Sequence, residues 1–135
     1  MSKKALLSTL WILVTLNYLF RFLFSLYYSE RLQDLLSGNL HEMEVTQGFL
    51  LALSIMMEIP IAMILFSRLL KHKSNRILNI FVTLIMGAIH LSSMSAARVT
   101  LHFYFFSIIG IMLYFSIILI ALKWKIEEDI ENDNK

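Results

Sequence analysis

Four stretches of this chain, 5–28, 45–67, 77–97 and 99–122, each approach or exceed the roughly 20 apolar residues needed to cross a hydrocarbon core. Their charges are sparse. The first holds only Arg21, the second only Glu58, and the third and fourth none when histidine is neutral. Inside lipid every backbone N–H and C=O must be satisfied within the segment, so runs of this length predict helices. The expected fold is all-α: a transmembrane four-helix up-and-down bundle, with a short interfacial segment between helices 1 and 2. Residues 1–135 form a single polytopic membrane domain, and 123–135 leave it as a flexible acidic tail.

Lys3 and Lys4 precede the first apolar run as they would in a secretory signal peptide. That run is too long for one and lacks a small-residue cleavage site, so it reads as a retained span. Lys3, Lys4, Arg68, Lys71, Lys73, Arg76, Lys123 and Lys125 all fall on one side of a four-span topology, against Arg31 and Arg98 on the other. The lysine and arginine bias therefore predicts that both termini are cytoplasmic, and the expected location is the cell inner (cytoplasmic) membrane, as a multi-pass protein.

Composition narrows the chemistry. With no cysteine, disulfides, thiolate metal sites and thiol redox chemistry are excluded. The formal net charge of +2 is mainly a topological signal, so no nucleic-acid partner is expected. No cofactor and no metal are expected either. A haem bundle needs two histidines at matched depth, whereas His90 and His102 are offset, and the acids of 30–44 lack a calcium-loop spacing.

Polar residues inside the spans are the candidates for function. A carboxylate at membrane depth costs on the order of 2.5–3.5 kcal/mol on insertion scales, so Glu58 needs a partner or a purpose. Gln47, Ser54 and Glu58 recur at spacings of seven and four, which predicts a common stripe facing protein. Pro60 lies two residues beyond Glu58 and takes a donor from the carbonyl of Met56, predicting a helix kink beside the acid. In the first span Asn17 and Arg21 are one turn apart on one face, and Arg21 either joins the interior or snorkels to the outer headgroups. In the third span Ala88, Ser92 and Ala96 predict a packing spine, and His90 falls at a depth near that of Asn17. The fourth span, nearly uniform hydrocarbon, predicts a lipid-facing wall. A bundle of these helices can gather Asn17, Arg21, Glu58 and His90 around one interior space, either as a buried charge network that fixes register or as a ligand or proton site.

The runs KALLSTLWILVTLNYL at Lys4–Leu19 and TQGFLLALSIMMEIPIAMILFSRLLK at Thr46–Lys71 resemble a family of small bacterial four-span membrane proteins of unknown function. Their most specific part is the TQG start with MEIP downstream, which lands on Gln47, Gly48, Glu58 and Pro60. Size and layout are more distantly similar to DoxX-like membrane proteins. The first resemblance implies an acidic residue near Phe22, where this chain has Arg21–Phe22, and carries no established activity. The second implies a membrane subunit or anchor in quinone-linked metabolism.

The leading expectation is a membrane protein that binds a small polar or amphiphilic ligand, or passes protons, at an intramembrane polar cluster. The alternative is a membrane subunit, anchor or assembly partner of another membrane complex, and a homo-oligomer or a membrane partner stands among the expected partners. An enzyme acting on a lipid or quinone through Glu58 and His90 is the rival class, but no nucleophile motif accompanies them. The expected partners are thus the bilayer, a small ligand or proton, and a further membrane chain.

Overall fold

The computed structural model describes residues 2–40, 43–95 and 100–133, with the side chains at 31, 39, 40, 43, 44 and 125–133 outside that description. Helix α1 (Lys3–Leu26) opens on Ser2, whose hydroxyl accepts from the Ala5 N–H. Short α2 (Ser29–Leu36) follows and ends in a turn at Gly38, whose φ of 79° is open to a residue without Cβ. A two-residue antiparallel pair, β1 (Asn39–Leu40) with β2 (Met43–Glu44), returns the chain. Helix α3 (Gln47–Leu69) begins at Thr46, whose hydroxyl caps the Phe49 N–H. Then come α4 (His72–Met94) and α5 (Leu101–Asp133). Helices α1, α3, α4 and the 101–124 part of α5 are each long and apolar enough to cross a membrane.

The four long helices form the up-and-down bundle that the sequence predicts. Helix α1 lies between α3 and α5, and α5 also packs on α4. Helices α3 and α4 share little contact, although only Leu70 and Lys71 join them. The alternation brings the start of α1, the α3–α4 turn and residues 122–124 of α5 to one end of the bundle, called here the terminal end. His72 and Trp124 rings, 4.1 Å apart, mark that level on α4 and α5.

Because lipid tails are as apolar as the side chains facing them, interhelical packing and hydrogen bonds hold such a bundle, each bond contributing about 0.6–2 kcal/mol. The buried seam of α1 is Leu7, Trp11, Val14, Tyr18 and Ser25, at spacings of four, three, four and seven. That of α4 is Asn75, Asn79, Thr83, Met86 and His90, polar at four of five positions. The bundle thus keeps much of its polar matter inside and its hydrocarbon outside.

At the terminal end this polarity becomes a clamp. The Trp11 indole N–H donates to Oδ1 of Asn79 at 2.7 Å, and the Ser67 hydroxyl donates to the same oxygen at 3.3 Å. Asn79 Nδ2 donates to Asn75 Oδ1 at 2.7 Å, and Asn75 Nδ2 donates to the Ser67 carbonyl at 2.6 Å. Ser8 donates to the Ile64 carbonyl and accepts from Nε of Arg68, each at 3.0 Å. Helices α1, α3 and α4 are tied together at one level.

Three sequence expectations change here. Helix α5 is not a lipid-facing wall: it buries Ser107, Gly110, Tyr114, Ile117 and Ala121 between α1 and α4. The small residues Ser107, Gly110 and Ala121 sit on that seam, where they let neighbours approach. The expected spine of α4 faces outward instead, with Ala88 and Ser92 exposed. Ala96 and Arg98 lie outside the described residues. Helix α5 also continues past the expected span, to Asp133.

Candidate functional site

Towards the other end of the bundle, α1, α4 and α5 converge on His90, which is only 1% exposed. Its Nε2 lies 3.2 Å from the Ser107 carbonyl oxygen, and its Nδ1 lies 3.2 Å from the Tyr18 hydroxyl. A carbonyl oxygen only accepts, so Nε2 carries the proton. In the neutral ring Nδ1 then accepts from Tyr18. The Tyr18 oxygen in turn accepts from the Tyr114 hydroxyl, 3.0 Å away. A single directed chain therefore runs Tyr114 to Tyr18 to His90 to the α5 backbone.

Backbone carbonyls inside a helix are normally covered by the side chain about one turn further on, which leans back over them. Gly110 removes that cover from Phe106 and Ser107. Asn17 Nδ2 donates to the Phe106 carbonyl at 3.0 Å, and His90 uses the Ser107 carbonyl. A Cβ at position 110 would stand 3.0 Å from Cε1 and 3.1 Å from Nε2 of His90, and 3.2 Å from Nδ2 of Asn17. The glycine is thus the floor on which both side chains rest.

The cluster has aromatic and cationic walls. The His90 ring meets those of Tyr18 and Tyr114 edge-on, with centroids 5.7 and 5.9 Å away. The Arg21 guanidinium carbon lies 4.8 Å from the Tyr18 and Phe103 ring centroids, placing a cation on the cluster's rim. The Thr83 and Ser107 hydroxyls, both buried, have no hydrogen-bond partner among the described residues. The hydrogen bonds from His90 to Tyr18 and Tyr114 have two directions, one for the neutral ring and one for the protonated ring. With His90 protonated, Nδ1 becomes a donor to Tyr18, and Tyr18 turns to donate to Tyr114.

Of the residues singled out from sequence, Asn17 and His90 meet over Gly110, and Arg21 joins them through Tyr18. Glu58 and Gln47 do not. Both are exposed on α3, as is Ser54. The reason is rotational: α3 turns Pro60, Met63 and Ser67 inward, and Glu58 lies roughly 180° around the helix from Ser67. Pro60 is buried within an unbroken α3, so the proline faces the bundle while the acid faces away. Tyr18, Tyr114, Ser107 and Gly110 are the site residues that sequence reasoning did not single out as functional. Among the described residues no group of three or more histidines and acids converges on a metal position.

The model of one protein family, described as a family of unknown function (DUF6326), matches residues 1–131. No curated protein and no solved structure matches the chain.

Proposed function

We propose, from the premise that this chain belongs to the DUF6326 family of unknown function, that it is a multi-pass membrane protein which takes up a proton, or a small polar ligand, at the His90 cluster. The observation that carries this reading is the directed chain from Tyr114 through Tyr18 to His90, closed on the Ser107 carbonyl. Ionisable groups within spans are expensive, and they commonly mark proton relays or ligand paths. A histidine whose Nε2–H is held by a backbone carbonyl and whose Nδ1 faces a hydroxyl able to turn from donor to acceptor is suited to take up a proton without moving its ring. The hydroxyls of Thr83 and Ser107, without a hydrogen-bond partner among the described residues, offer further donors to a small polar guest.

Orientation follows the same reading. Lys3, Lys4, Arg68, Lys71, Lys73, Arg76 and Lys123 gather at the terminal end, which supports cytoplasmic termini in an inner membrane. The His90 cluster then lies in the outer half of the bilayer, with Arg21 on its outer side.

The test is proton movement in liposomes containing the purified protein, read by an entrapped pH dye after an imposed pH jump. Wild type should collapse the gradient faster than His90→Phe or Tyr18→Phe. Equal rates for all three and for protein-free liposomes would reject the proton reading. Ligand uptake would then be sought by thermal shift with small polar amphiphiles, with His90→Phe as the control.

A further inference from the structure

Glu58 stands at the midpoint of the 23-residue α3 and faces away from the bundle. It does not stand alone. Gln47, Leu51, Ser54, Glu58, Ile61 and Leu65 are all exposed and recur at alternating spacings of four and three, the period of a coiled-coil seam. Leu51 and Leu65 are 63% and 56% exposed. The helix therefore carries two seams back to back, one spent on α1 and one unspent.

We propose that this outer face of α3 is the interface of a parallel homodimer, with Glu58 of one copy meeting Glu58 of the other at mid-membrane. The chemistry selects a second copy. Both copies insert with the same topology, so a two-fold axis along the membrane normal sets each residue opposite itself at equal depth. Each polar group on the seam is self-complementary in that arrangement. A glutamine amide both donates and accepts, and so does a protonated carboxyl. The Ser54 hydroxyl donates to the Leu50 carbonyl of its own helix at 2.9 Å and still has lone pairs to accept with. Among the described residues no lysine or arginine is paired with Glu58. Arg21, the cation deepest in the spans, is half-buried on α1 beside Tyr18. A single polar residue on such a seam fixes register and oligomeric state, and interhelical polar contacts hold membrane helices together. The dimer does not depend on the His90 cluster.

Because the chain has no cysteine, single cysteines report the interface without background. Leu51→Cys and Ser54→Cys should form disulfide-linked dimers on oxidation in bilayers, since the axis brings each position close to its copy. Ala88→Cys, on the exposed face of α4, should not. Energy transfer between labelled copies, titrated by lipid dilution, gives the strength. Glu58→Leu should weaken dimerisation about tenfold, whereas Glu58→Gln, which keeps a donor and an acceptor, should weaken it less. A chain that stays monomeric throughout the dilution series overturns the proposal. So does cross-linking at Ala88→Cys but not Ser54→Cys, or a dimer indifferent to Glu58→Leu.

Discussion

The hydroxyl of Tyr18 lies 3.2 Å from Nδ1 of His90, and because the Ser107 carbonyl already holds the proton on Nε2, that hydroxyl is the donor. Tyr18 is therefore the middle link, giving one hydrogen bond and receiving another from Tyr114. Tyr18→Phe strands Nδ1 and the Tyr114 hydroxyl together. Tyr114→Phe removes only a donor at the end of the chain. The first should cost about 1–3 kcal/mol and the second clearly less, measured by denaturant unfolding in detergent. Equal losses would show that the chain is not directed as described.

Gly110→Ala tests the floor of the site. Its methyl would crowd His90 from 3.0 Å and Asn17 from 3.2 Å, and neither side chain can retreat without giving up its α5 carbonyl. Overpacking of this kind costs about 1–3 kcal/mol. The ring nitrogen resonances of His90 should shift in the same variant, because Nε2 loses its fixed acceptor. Gly87→Ala, where an added Cβ meets nothing within 4 Å, should leave both readings close to wild type.

How much of this was legible in the sequence follows from what periodicity can and cannot carry. Span length and sparse charge fixed the number of helices, and depth counting along α1 and α4 placed Asn17 near His90. The direction in which α3 faces was not legible. Gln47, Ser54 and Glu58 do share a stripe, but a stripe has no inside until its neighbours are known. The exposed seam and the one containing Pro60, Met63 and Ser67 are equally periodic. Helix α5 was misread for a related reason, since Ser107, Gly110 and Tyr114 looked like isolated breaks in hydrocarbon. Their shared face appears only when the 3.6-residue repeat is applied to small and polar residues together. The Asn75–Asn79 clamp straddles the apolar boundary at 77, and that boundary leaves Asn75 in a loop. In α4 the polar run at 75, 79, 83 and 90 was the available signal.

The terminal-end clamp predicts coupling between two residues 68 positions apart. Asn79→Leu leaves the Trp11 indole N–H buried without its acceptor, which should cost about 1–3 kcal/mol. Trp11→Phe removes the donor instead. In the double variant the two losses should fall short of their sum by about 0.5–3 kcal/mol, the signature of a direct contact. Additive losses would mean that the 2.7 Å bond contributes nothing to holding α1 on α4.

Glu58 gives the opposite expectation. If it were the buried partner of Arg21 or His90, Glu58→Gln would cost about 3–5 kcal/mol, the usual result of leaving one charge of a pair uncompensated. Its place on the open face of α3 predicts a change within about 0.5 kcal/mol in the unfolding of dilute, monomeric protein in detergent. The contrast with Tyr18→Phe is the informative comparison, because both substitutions alter one polar group at membrane depth and only one of those groups points inward. A large loss for Glu58→Gln under these conditions would place the acid inside the bundle and remove the outer seam of α3 as an interface.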